Sequence, residues 1–125
     1  MTRVLRGDES LNGLTKPDLF KVPMEWDTRI ITSATTLDRT RLGKISIVNS
    51  AGSITVTIPA DTTSEAYIEG EAFVLYNYGA GTLTIAAAAS IVPTTVNVAQ
   101  YAFAGASRLP SELGQVWAAI GNYTS

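Results

Sequence analysis

Carboxylates are the groups in this 125-residue chain whose type and spacing could carry acid–base chemistry, because it contains neither His nor Cys. The candidates are Asp8 with Glu9, Glu25 with Asp27, and Glu65, Glu69 and Glu71 as a group. Paired carboxylates of this kind serve as acid and base in glycoside hydrolysis. All of them fall in segments that read as arm or loop, where solvated surface charge is the ordinary explanation. Lacking His and Cys, the chain has no imidazole base, no Ser-His or Cys-His nucleophile, no thiolate metal site and no disulfide. Lys16 and Lys44 have no sequence neighbour that would lower an amine pKa. The expectation is a protein that is not an enzyme, with no catalytic residue, no metal ligand and no cofactor.

Short motifs add little. Gly79-Ala80-Gly81 follows a strand signal, as a phosphate-binding loop does, but it leads into Thr82-Leu83-Thr84-Ile85 and not into a helix whose amides could cradle phosphate. It reads as a hairpin turn. Arg6-Gly7-Asp8 matches a cell-adhesion tripeptide at a length where chance matches are common. Asn122-Tyr123-Thr124 fits a glycosylation sequon, which has meaning only on a secreted chain. Residues 1–11 show no apolar signal core, so the expectation is synthesis in the cytoplasm.

Residues 72–107 contain no charged side chain, whereas residues 1–71 carry eight Lys or Arg and ten Asp or Glu. Asn77, Gly79, Gly81, Thr82, Thr84, Pro93, Thr94, Thr95 and Asn97 interrupt the stretch, leaving no window of about 18–20 apolar residues that could span a bilayer. A soluble monomer usually solubilises its strand faces with charge, so faces of Thr, Ala, Ser and Asn point to contact with another protein. The net charge of −2 provides no electrostatic footprint for nucleic acid or an anionic membrane.

The elements that must position these residues are strands. Residues 1–33 mix charges with Pro17 and Pro23 and isolated apolar side chains, which argues for an extended arm. Residues 34–125 form the β-domain. Strand signals fall at 42–48, 54–58, 73–76, 82–86, 95–98, 101–104 and 115–120, with loops rich in Gly, Asn and Pro between them. The five-residue connections 49–53 and 77–81 suggest two hairpins. Trp117 is expected in the core. The fold class that follows is all-β: a single antiparallel β-sandwich or barrel-like domain of seven or eight short strands behind an N-terminal arm.

One succession of residues resembles a β-domain of bacteriophage tail-fibre and virion-surface proteins. It runs through Gly43-Lys44 to Asn49-Ser50, Ile54-Thr55-Val56-Thr57-Ile58-Pro59, Gly70, residues 73–77, Gly79-Ala80-Gly81-Thr82-Leu83-Thr84-Ile85, and Trp117 with Gly121. The resemblance covers residues 37–121 and implies a non-enzymatic virion component, usually a homotrimer. A chain this short, with the module behind an arm, suggests a capsid decoration or cement protein located in the virion. Its expected partners are two further copies of itself and the major capsid protein or another virion protein.

The arm residues Phe20, Val22, Met24 and Trp26 are the expected partner-binding anchors, since aromatic and Met side chains dominate interface energetics. Val74, Tyr76, Thr82 and Thr84 are the expected trimer-interface residues. The alternatives are a tail-fibre, baseplate or tail-tip component, or a small module that binds host surface glycan through Tyr78, Tyr101 or Tyr123.

Overall fold

A computed structural model of the protein describes residues 24–125. Ten short strands form two mixed sheets: β1 (Glu25–Trp26), β2 (Thr35–Thr36), β3 (Lys44–Val48), β4 (Ile54–Ile58), β5 (Ala72–Asn77), β6 (Leu83–Ala87), β7 (Ser90–Val92), β8 (Val96–Val98), β9 (Phe103–Arg108) and β10 (Val116–Gly121). The six-stranded sheet has the order β1-β3-β5-β9-β10-β7 and the four-stranded sheet β2-β4-β6-β8. The chain therefore alternates between sheets as it proceeds from β1 to β6. Each strand lies parallel to the one two elements earlier, β1 to β3 to β5 in one sheet and β2 to β4 to β6 in the other. The result is a short stack of parallel coils. Antiparallel pairings of β8 on β6, β9 on β5 and β10 on β9 complete the far side.

This architecture corrects the expected single antiparallel sandwich or barrel of seven or eight strands. The segments at 42–48 and 54–58 do not pair with each other, nor do those at 73–76 and 82–86, because the members of each pair lie in different sheets. Their connections are corners, not hairpin turns. The corner at 78–82 sits directly on the corner at 49–53: Tyr78 N–H donates to the Val48 carbonyl (2.8 Å), Gly81 N–H to Ser50 (2.9 Å), and Ile54 N–H to Thr82 (3.1 Å). Gly79 and Gly81 are required by this stacking, since a Cβ would come within 2.3 Å of Ser50 backbone at the first and 2.0 Å of the Gly52 oxygen at the second. Buried Asn77 ties the corner inward by donating from Nδ2 to the carbonyls of Gly81 and Val98, both at 2.9 Å.

One core fills the space between the sheets. Val48, Phe73, Leu75, Ala104, Ala106, Ile91 and Trp117 face Val56, Ile58, Leu83, Ile85, Val96 and Val98. Tyr67 from the long β4–β5 connection closes an aromatic cluster with Phe73 and Trp117, with centroids 5.5–5.8 Å apart. Trp117 is buried there, as its sequence position suggests. Part of the sequence-defined arm joins this body. Trp26 pairs with Ile45, Asp27 N–H donates to the Ile45 carbonyl, and buried Ile31 bridges to Val48.

Candidate interaction surface

Strand periodicity sends alternate residues to opposite sides of a sheet, and register decides which of them become neighbours. On the outer side of the six-stranded sheet three rows result. The first contains Ala72, Ser107, Ala118 and Val92. The second contains Trp26, Ile45, Val74, Gly105 and Ile120. The third contains Ile47, Tyr76 and Phe103. None of these positions is charged. Sheets with parallel strands ordinarily have both faces covered, and their strands read as near-continuous apolar runs. Ile45 to Val48 and Phe73 to Tyr76 fit that rule, yet here the outer members are left at the surface.

The second and third rows meet in an aromatic cluster. Tyr76 and Phe103 rings lie 4.5 Å apart, and Trp26 approaches them at 6.0 and 6.3 Å. Trp26 remains 52% exposed and Phe103 44%. Beside them Trp26, Ile30, Ile47, Asn49, Tyr76 and Tyr78 line a shallow cavity of about 200 Å³. Two exposed rings and the half-buried ring of Tyr76, free of charge, have the composition of an interface core.

The expected trimer-interface set divides between two faces. Val74 and Tyr76 belong to the apolar face just described. Thr84 lies on the outer side of the four-stranded sheet, where Thr36, Thr57 and Ala86 form one row and Thr55, Thr84 and Asn97 another. Its hydroxyl donates to Asn97 Oδ1 at 2.9 Å. Thr82 is exposed just before β6 and lines a separate cavity of about 390 Å³ with Asn97, Asn122 and Tyr123. Of the expected anchors, Trp26 and Met24 are exposed, while Phe20 and Val22 lie outside the described residues.

Ile45, Ile47, Phe103 and Ile120 were not singled out from the sequence. Their signal is strand alternation, but only the pairing register places them beside Trp26 and Tyr76. Tyr78 and Tyr101, named as glycan-binding candidates, stand together with rings 6.2 Å apart, while Tyr123 belongs to the other cavity.

Three carboxylates, Asp27, Asp61 and Glu71, are engaged in ion pairs. Asp27 is buried and accepts from Arg29 Nε and Nη2 at 3.0 and 2.7 Å, with Arg41 Nη1 3.5 Å away. The Arg29 hydrogen bond outweighs burial and lowers the Asp27 pKa to about 2. A carboxylate held there is ionised near neutrality and is a weak base. Glu71 pairs with Arg39, whose guanidinium lies over the Tyr67 ring at 4.9 Å. Asp61 makes a bidentate pair with buried Arg108, at 2.7 and 3.0 Å, and Arg108 packs against Trp117. Glu25, Glu65 and Glu69 are exposed. Asp8 and Glu9 lie outside the described residues. Among the described residues no three His, Cys, Asp or Glu side chains form a group able to hold a metal ion. Among the described residues no helix is long and apolar enough to cross a membrane.

No protein-family model matches the chain, and no curated protein or solved structure matches it either.

Proposed function

We propose that this chain is a non-enzymatic structural protein of a bacteriophage virion, a homotrimer that decorates the capsid by binding the major capsid protein. The observation that carries the reading is the outer face of the six-stranded sheet. An uncharged surface of three neighbouring rows, with Trp26, Tyr76 and Phe103 clustered on it, is costly to leave in water and suited to burial against a protein. The resemblance of residues 37–121 to virion-surface β-domains supplies the setting. The ion-paired state of Asp27 and Glu71 supports a structural role for these two of the carboxylates that could otherwise suggest catalysis.

Attachment then draws on avidity: three arms held on one trimer engage a lattice together far more tightly than one, provided their spacing matches it. The test is quantitative mass spectrometry on purified virions, combined with rebinding of the purified protein to virions that lack it. Hundreds of copies per particle and saturable rebinding are the expected result. A few to tens of copies would assign the protein to the tail, and absence from the particle would overturn the virion reading.

A further inference from the structure

The cavity that Thr82 lines, about 390 Å³, lies at the β8 end of the four-stranded sheet. Separate stretches of the chain wall it, and backbone hydrogen bonds fix them. Asn97 belongs to β8, whose partner β6 begins next to Thr82. The turn after β8 contributes the methyl groups of Ala99 and Ala102, joined by the bond from the Ala102 N–H to the Ala99 carbonyl (3.2 Å). The segment after β10 supplies the far wall: Asn122 N–H donates to the Phe103 carbonyl, and Thr124 exchanges two bonds with Asn97, all at 2.8 Å. That exchange sets Thr124 beside Asn97, as one more member of the outward row of Thr55, Thr84 and Asn97.

The walls are neutral throughout, since no lining side chain is charged. The carboxamides of Asn97 and Asn122 and the hydroxyls of Thr82, Tyr123 and Thr124 each offer a donor and an acceptor. The Asn97 amide is already oriented: its Oδ1 accepts from the Thr84 hydroxyl at 2.9 Å, which fixes the tilt of the group and leaves Nδ2 to donate. Tyr123 is half-buried and packed against the core, so its ring is a fixed apolar wall with a polar tip. A concavity of about 300–1,000 Å³, with a few fixed polar groups on apolar walls, is the ordinary form of a small-molecule site.

We propose that this cavity binds one neutral sugar residue. The adjacent hydroxyls of a pyranose, each both donor and acceptor, match carboxamides that donate and accept side by side, and the C–H face of the ring matches Tyr123 and the alanine methyls. An anionic ligand would be desolvated here without a cation to pair with. The proposal rests on neither the trimer nor the virion setting. It also separates the three tyrosines singled out from the sequence: Tyr123 has two amides beside it, whereas Tyr78 and Tyr101 face each other at exposed positions.

The test is titration of the isotope-labelled full chain with glucose, galactose, mannose, N-acetylglucosamine and N-acetylgalactosamine, followed through amide NMR chemical shifts. At least one sugar should saturate with a Kd of about 10 mM or tighter, with shifts concentrated at Asn97, Ala99, Ala102 and residues 122–124. Glucuronic acid should bind at least about tenfold more weakly. Asn97→Ala and Asn122→Ala should each weaken binding about fivefold, the scale of one lost hydrogen bond, and Tyr101→Ala should leave it unchanged. Asn122 is exposed, so its variant decides the matter even if Asn97→Ala fails to fold. A methyl glycoside that binds as tightly as its free sugar assigns the site to the end of a glycan chain, and binding lost on methylation assigns it to a free sugar; either result sustains the site. No shift with any of the five sugars at about 50 mM, shifts centred on Tyr78 and Tyr101, or an affinity that Asn122→Ala does not change would overturn it.

Discussion

The two outer faces of this protein are built from the same element, a strand with alternating side chains, and neither carries charge on its central rows. They differ in what alternates. On the four-stranded sheet the outward positions are Thr36, Thr55, Thr57, Thr84, Ala86 and Asn97, whose hydroxyls and amide hydrogen-bond to water or to one another, as Thr84 does to Asn97. On the six-stranded sheet they include Trp26, Ile45, Ile47, Val74, Tyr76, Phe103 and Ile120, beside the small Ala72, Gly105, Ser107 and Ala118. Absence of charge therefore has two meanings here. One face is polar enough to stand in water, and the other gains about 25 cal/mol for each Å² of apolar surface covered.

Charge placed on each face in turn tests that distinction most severely. Tyr76→Lys puts an ammonium in the aromatic cluster, where burial without a partner costs about 3–5 kcal/mol, so the proposed trimer should dissociate at micromolar concentration, as measured by analytical ultracentrifugation. Thr84→Lys, on the other face, should leave the assembly intact and change stability by less than about 1 kcal/mol. If Thr84→Lys dissociates trimers and Tyr76→Lys does not, the roles of the two faces are reversed.

The corners that carry the chain from one face to the other supply the next effect. Gly81→Ala drives a Cβ to 2.0 Å from the Gly52 oxygen, whereas Gly52→Ala meets nothing within 4 Å. Urea unfolding should show a loss of about 2–3 kcal/mol for the first, the usual scale of overpacking, and little change for the second. Equal effects would mean that the corners do not stack and that the two sheets are not in register.

A smaller effect comes from the ion pair beside Trp26. The folded-state pKa of Asp27 is lowered to about 2 by its hydrogen bond from Arg29, below the unfolded value of about 3.9. Its contribution is therefore fully present above about pH 4 and is lost as pH falls toward 2. Arg29 is itself 46% exposed, and after allowance for solvent screening the contribution is about 1–2 kcal/mol. Asp27→Asn should destabilise by a similar amount near neutral pH and flatten the acid limb of a stability-against-pH curve, with Trp26 fluorescence reporting on the first coil. An unchanged acid limb would remove the Asp27–Arg29 pair as a contributor to stability.

Period-two alternation in Ile54-Thr55-Val56-Thr57-Ile58 and its neighbours, Pro59 as a stop, and glycines in the connections were legible as strands and turns from the residues alone. So was the burial of Trp117. Three short strands, β1, β2 and β7, were not, because two or three residues are too few to display a period. Nor could the sequence distinguish a hairpin from a corner: five residues at 49–53 suit either, and alternation is identical in parallel and antiparallel strands. The choice rests on contacts between distant segments, such as Ile45 with Val74 and Ile54 with Leu83.

The same limit governed the interaction surface. Composition alone determined that residues 72–107 offer uncharged faces, and the lack of His and Cys determined which chemistry the chain cannot perform. Which uncharged residues share a face was decided by tertiary structure, since Val74 and Thr84 are equally plausible neighbours along the sequence and lie on different sheets in space. Register sets those neighbours, and register depends on how coils stack over a common core. No local window of the chain contains that information.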